Sequence, residues 1–120
     1  MKANIPEHEV DLIVNYIYMN YLIEVLETDL SNVPKLNFKL PEVYIGLIEN
    51  TLKAIRKDLR PIREEMNSLK IKVFPARRVN EEFVEYPYRA HGYEGTQRFW
   101  DAAMMMEGKR RLERYLNPRQ

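Results

Sequence analysis

A chain of 120 residues with 45% hydrophobic and 31% charged residues has the size and balance of one folded domain, not of a disordered segment. Its 19 basic and 18 acidic side chains leave a net charge of +1, and it has no cysteine. That composition excludes a disulfide scaffold, a thiol nucleophile, a cysteine zinc site and an iron–sulfur centre, and it fits a reducing, cytoplasmic setting.

The opening residues have no apolar run of the kind a signal peptide needs. No stretch approaches the roughly 18 apolar residues of a membrane span, so no membrane partner is expected. Pro6 followed by Glu7, Glu9 and Asp11 reads as a helix start, with acids at the positive end of the dipole and Asn4 as the one cap side chain nearby. From there Leu12, Tyr16, Met19, Ile23, Leu26, Leu30 and Val33 recur three or four residues apart, which puts them on one stripe of a helix. Ile13, Ile17, Leu22 and Val25 widen the stripe, so this helix requires several neighbours and reads as the centre of the domain. Pro34 stops it near Asn32. Leu36, Phe38 and Leu40 alternate in the connection that follows and are expected to pin it to the core.

Pro41 suits the first turn of a second helix, whose stripe runs Tyr44, Ile48, Leu52, Ile55, Leu59, Ile62, Met66 and Leu69. Pro61 lies inside that register, and its missing N–H predicts a kink rather than two helices. Lys70 to Phe74 alternates charged and apolar residues but has no evident partner strand, so an extended connector is expected. Asn80 before Glu81 and Glu82 predicts a short helix over 80–91, distorted at Pro87, then an irregular aromatic turn around 86–95. A last helix is expected from about Thr96 to Leu116, stopped by Asn117-Pro118. The expected fold is therefore all-α: one helical domain over 1–120, an antiparallel bundle of three to four helices with a kinked second helix.

Catalytic chemistry finds little support. His91 and Glu94 stand one helical turn apart, the spacing of a carboxylate–histidine metal pair, but the only other histidine is His8 and no second such unit exists. Neither metal nor cofactor is expected. The only serines are Ser31 and Ser68, and there is no nucleophile elbow, zincin motif or phosphate loop. A small enzyme with a cavity among its helices is the third-ranked class.

Two features point elsewhere. The stretch holding Tyr88, Arg89, Tyr93, Arg98 and Trp100 is rich in the side chains that anchor interfaces, and it runs into Met104, Met105 and Met106. Three consecutive methionines cannot share one helix face, so at least one should reach the surface. A non-enzymatic interaction module is the leading expectation, binding another protein or itself (as a homodimer) through Tyr88, Arg89, Tyr93, Arg98, Trp100, Met104 and Met105. Charge is also unevenly placed: residues 1–52 carry 3 basic and 8 acidic groups, and residues 53–78 carry 9 basic and 3 acidic. Either the two helices pair their charges, or Arg56, Lys57, Arg60 and Arg63 offer an anion-binding face, which makes a nucleic-acid accessory protein the alternative.

Short patterns spread along the chain are Asp29-Leu30, Leu47-Ile48-Glu49 with Leu52, Asp58-Leu59, Met66 and Lys70-Ile71-Lys72-Val73. Glu82-Phe83, Glu85-Tyr86, Gly92-Tyr93-Glu94 and Tyr115-Leu116 follow. On these the chain resembles the small YhjD-like helical proteins of spore-forming bacteria. The resemblance implies an all-helical bacterial protein without known activity, and it transfers no functional residues.

Overall fold

The computed structural model describes residues 5–118. Helix α1 spans Glu7–Asn32 and begins after Pro6, which caps it without a side-chain hydrogen bond. Glu7 and Glu9 supply negative charge to the first turn. Asn4, the expected cap, lies outside the described residues. At the other end Val33–Lys35, containing Pro34, tightens into a 3₁₀ turn closed by the Leu36 N–H on the Val33 carbonyl (3.1 Å).

Helix α2 spans Pro41–Ser68, with Pro41 in its first turn and Pro61 inside it. It stays a single helix across Pro61, whose ring is exposed to solvent. The two helices pack as a hairpin in which Met19, Leu22 and Leu26 of α1 meet Leu52, Ile55 and Leu59 of α2. Burying each of these side chains is worth about 1.5–3 kcal/mol, so this seam is the main force holding the hairpin shut.

The all-α expectation fails after Leu69. Residues 71–100 form an antiparallel sheet, so the described residues combine three α-helices with four strands: β1 (Ile71–Val73), β2 (Arg77–Arg78), β3 (Phe83–Ala90) and β4 (Tyr93–Trp100). The helix expected at 80–91 is β3, and the first turn expected of the last helix is β4. Strand β3 is central. It pairs with β4 on one side, and on the other with β1 (Ile71↔Ala90 to Val73↔Tyr88) and then β2 (Arg77↔Glu85, Arg78↔Val84). Between those two pairings residues 74–76 face only residues 86–87, which is a one-residue bulge.

The bulge accounts for proline in a central strand. The Phe74 N–H bonds the Pro87 carbonyl at 2.8 Å, so Pro87 turns its polar edge toward the bulged side. Its missing N–H falls where the ladder is already interrupted, and pairing with β4 through Thr96 is unaffected. The irregular turn expected at 86–95 is a two-residue hairpin. His91 (φ 55°) and Gly92 (φ 79°) both take positive φ, as a turn matching the right-handed twist of the flanking strands requires. Asn80 caps a turn and not a helix: its Oδ1 accepts from the N–H groups of Glu82 (2.8 Å) and Phe83 (2.9 Å) and launches β3.

Alternation then sorts the sheet's faces. Tyr88 and Ala90 turn inward and join Leu12, Ile13, Ile17 and Tyr18 of α1, with Met66, Ile71 and Met104, in the second core. Phe99 packs edge-on against both Tyr18 (5.5 Å) and Tyr86 (5.7 Å). Glu85, facing outward, joins Arg77 (3.1 Å) and Arg98 (2.6 Å) across three strands. Helix α3 (Asp101–Leu116) starts directly from β4, held by the Asp101 N–H on the Glu82 carbonyl (2.8 Å) and by Arg78 on the Asp101 carboxylate (2.7 Å). Its Gly108 lies against Tyr21, where an added Cβ would stand 2.6 Å from Cε2. Helix α1 is thus central to both cores, with α2, α3 and the sheet around it.

Candidate interaction surface

The sheet and α3 cover only one end of the hairpin. At the other end α1 and α2 run on alone, and Leu36, Phe38, Leu40, Val43, Tyr44 and Leu47 are all exposed, from 43% for Phe38 to 62% for Leu40 and Val43. Leu40, Val43, Tyr44 and Leu47 fall at helical spacing and present one apolar stripe. The Phe38 and Tyr44 rings touch, centroids 4.8 Å apart, beside a groove of about 510 Å³ bounded also by Asp29, Lys35, Leu36 and Ile48. Leu36, Phe38 and Leu40, expected to anchor the connection, are therefore surface, because among the described residues no third layer reaches this end. Half of six large side chains amounts to roughly 500–600 Å² of apolar surface, at the upper limit of what a monomer ordinarily shows.

The residues expected to form one aromatic–methionine surface are dispersed. Tyr88 (8% exposed) and Met104 (3%) belong to the core. Tyr93, Trp100 and Met105 are exposed, as is Met106. Tyr93 and Trp100 lie at opposite ends of β4, on opposite faces, and roughly 23 Å apart at strand rise. Arg89 is bound to Glu94 (3.1 Å) and Arg98 to Glu85.

Of the basic set on α2, Arg56 binds Glu27 of α1 at 2.6 Å, so the opposed charges of the two helices do meet there. Lys57, Arg60 and Arg63 are exposed and have no ion pair among the described residues. His91 and Glu94 take separate partners. The His91 Nε2–H donates to the buried carboxylate of Glu9 at 2.7 Å, tying the sheet's hairpin turn to the start of α1, while Glu94 accepts from Arg89. At the α1–α2–α3 junction the Tyr115 hydroxyl donates to Asp58 at 2.6 Å; burial first, and this carboxylate second, hold its pKa well above the ordinary phenol value. Among the described residues no cluster of three or more histidines and carboxylates could hold a metal, and no helix is long and apolar enough to cross a membrane.

Fold and surface together define a class: a small α+β protein, a helical hairpin with an antiparallel sheet against one end and a bare apolar tip at the other. The chain belongs to the YhjD protein family, whose model matches residues 4–120. It is similar to the Uncharacterized protein YhjD of Bacillus subtilis (strain 168), with 29% identity over 113 residues, covering 94% of this chain and 93% of that one. No solved structure matches it.

Proposed function

We propose that the protein is a non-enzymatic interaction module that docks a protein partner on the apolar tip of the α1–α2 hairpin. The observation that carries this reading is the contiguous exposure of Leu36, Phe38, Leu40, Val43, Tyr44 and Leu47. A protein surface fits better than a small ligand, since the tip is open and its area approaches the roughly 800 Å² each partner contributes to a standard interface. Hidden Tyr88 and Met104 take no direct part, and Trp100 and Met105 form at most a separate contact. On this reading the protein works in the cytoplasm, where a chain without cysteine loses nothing to reducing conditions.

The test is molar mass by light scattering on the wild type and on Leu40→Glu/Leu47→Glu, with the same pair used to compare partner recovery from cells. A wild-type dimer that the substitutions dissociate makes the partner a second copy. A monomer whose stoichiometric partner is lost on substitution makes it another protein. Association unchanged by the substitutions contradicts the reading.

The nucleic-acid alternative rests on a different observation, the exposed Lys57, Arg60 and Arg63, which have no ion pair among the described residues. It requires that oligonucleotide binding weaken steeply with salt, because phosphate contacts release counterions. Binding insensitive to salt, or none, removes it.

A further inference from the structure

The bulge that accommodates Pro87 also opens the molecule beside α1. Residues 73–76 stand off the helix and leave a cleft of about 310 Å³, whose α1 wall is Tyr16, Ile17, Asn20, Tyr21 and Glu24 and whose floor includes Tyr86. Three features set it apart from an ordinary packing gap.

First, three tyrosines line it, and an aromatic ring carries negative quadrupole density on its faces. Second, its ionised group is the exposed Glu24 carboxylate, which has no ion pair among the described residues; no lysine or arginine lines the cleft. Third, the one amide side chain in the lining is set to accept. Asn20 commits its Nδ2 to the Tyr16 carbonyl (2.9 Å), leaving its Oδ1 as an acceptor. Burial, and then the field of Glu24, push the Tyr86 phenol above its ordinary pKa, so the carboxylate acts on the cleft floor. Phe74, on the rim, already has Lys72 (5.2 Å) and Arg89 (5.9 Å) near its ring; Tyr21 meets Tyr18 (6.4 Å) and Tyr86 meets Phe99 (5.7 Å) edge to face, but among the described residues no cation lies over Tyr16, Tyr21 or Tyr86.

We propose that this cleft binds an alkylated ammonium group, held by the faces of Tyr16, Tyr21 and Tyr86 and neutralised by Glu24. Such a cation has little to lose from partial dehydration, gains from every aromatic face it approaches, and needs one carboxylate to balance it. The volume is at the small end for ligand sites, suited to a single head group. This site lies on the sheet side of α1 and does not depend on the apolar tip.

The test uses ¹³C-labelled tyrosine in the full chain, titrated with choline, with tetramethylammonium, with the neutral carbon isostere of choline, and with a peptide carrying trimethyl-lysine. Saturable shifts of the Tyr16, Tyr21 and Tyr86 rings are expected with the cations, with about tenfold weaker binding of the isostere. Glu24→Gln, a surface change that leaves folding intact, should weaken choline about fivefold, and Tyr86→Leu should weaken it further. Tighter binding of the peptide than of choline would assign the ammonium to a protein side chain; the reverse would assign it to a free metabolite. Equal binding of the isostere, an unchanged affinity in Glu24→Gln, or no saturable shift with any cation overturns the proposal.

Discussion

Gly95 lies opposite Tyr88 in the β3–β4 ladder, and the two readings of residues 80–100 give its replacement opposite signs. A Cβ at position 95 would stand 2.4 Å from both Cζ and Oη of Tyr88 and 2.9 Å from Cε2. Ordinary carbon contacts are about 3.5–4.0 Å, so the overlap exceeds an ångström. The ring cannot swing clear, since Tyr88 is 8% exposed and shares its cluster with Leu12, Ile13 and Ile71. Overpacking of this severity costs about 3 kcal/mol, from which the lower chain entropy of alanine in the unfolded state returns roughly 0.5–1. Gly95→Ala should therefore destabilise by about 2 kcal/mol and lower Tm by roughly 8 °C at this chain length.

Urea and thermal denaturation followed by circular dichroism measure this directly. The double variant Gly95→Ala/Tyr88→Leu should cost less than the sum of its parts by at least about 1 kcal/mol, because the truncated side chain no longer meets the new methyl. Were residue 95 in a turn before a helix, or in the helix itself, alanine would be neutral or stabilising by up to about 1 kcal/mol. A stabilised Gly95→Ala protein would refute the sheet register.

Hydrogen bonds from Arg98, then Arg77, hold the Glu85 carboxylate below its ordinary pKa. Its contribution to stability is therefore complete above the ordinary carboxylate value and disappears as pH falls through the lowered one; Glu85→Gln should flatten the urea midpoint across that acid range. Tyr115 behaves in the opposite sense. Its raised phenol pKa gives stability that is complete below about pH 10 and lost in more alkaline solution, and Tyr115→Phe should cost about 1 kcal/mol at neutral pH while removing that alkaline loss. His91→Asn keeps a residue tolerant of positive φ in the turn but leaves the Glu9 carboxylate without its imidazole. A loss of about 1–2 kcal/mol is expected by denaturation, together with faster amide exchange in the turn.

The two long helices were legible because their apolar residues repeat at helical spacing and Pro34 and Pro41 mark the connection between them, so Glu7–Asn32 and Pro41–Ser68 fall where periodicity put them. The sheet was not, although its signals are present. Lys70 to Phe74 alternates as a strand should, but its partner, residues 88–90, is about 17 positions away, beyond any local pattern. Pro87 argues against a central strand until the bulge opposite it is known. His91-Gly92 is a two-residue turn flanked by period-two rows, Tyr86, Tyr88 and Ala90 before it and Gly95, Gln97 and Phe99 after it. The helix-start chemistry of Asn80 is indistinguishable from its turn chemistry, since both use the side-chain oxygen on N–H groups two and three residues ahead. For the surface, the sequence marked residues able to anchor an interface but not which of them the fold buries. Tyr88 went inward because it alternates with Arg89. Phe38 and Tyr44 stayed outside because the layer that covers α1 elsewhere ends before it reaches them.

Photo-crosslinking from single positions tests the docking surface most directly. A benzophenone side chain placed in turn at Leu40, Leu47, Lys57, Trp100 and Met105 samples the tip, the basic helix face and the C-terminal surfaces in the same intact protein. A discrete cross-linked protein is expected from Leu40 and Leu47, lost when Tyr44→Glu is added, with no such product from the other three. The same product arising from Trp100 or Met105 while the tip positions stay silent would contradict it.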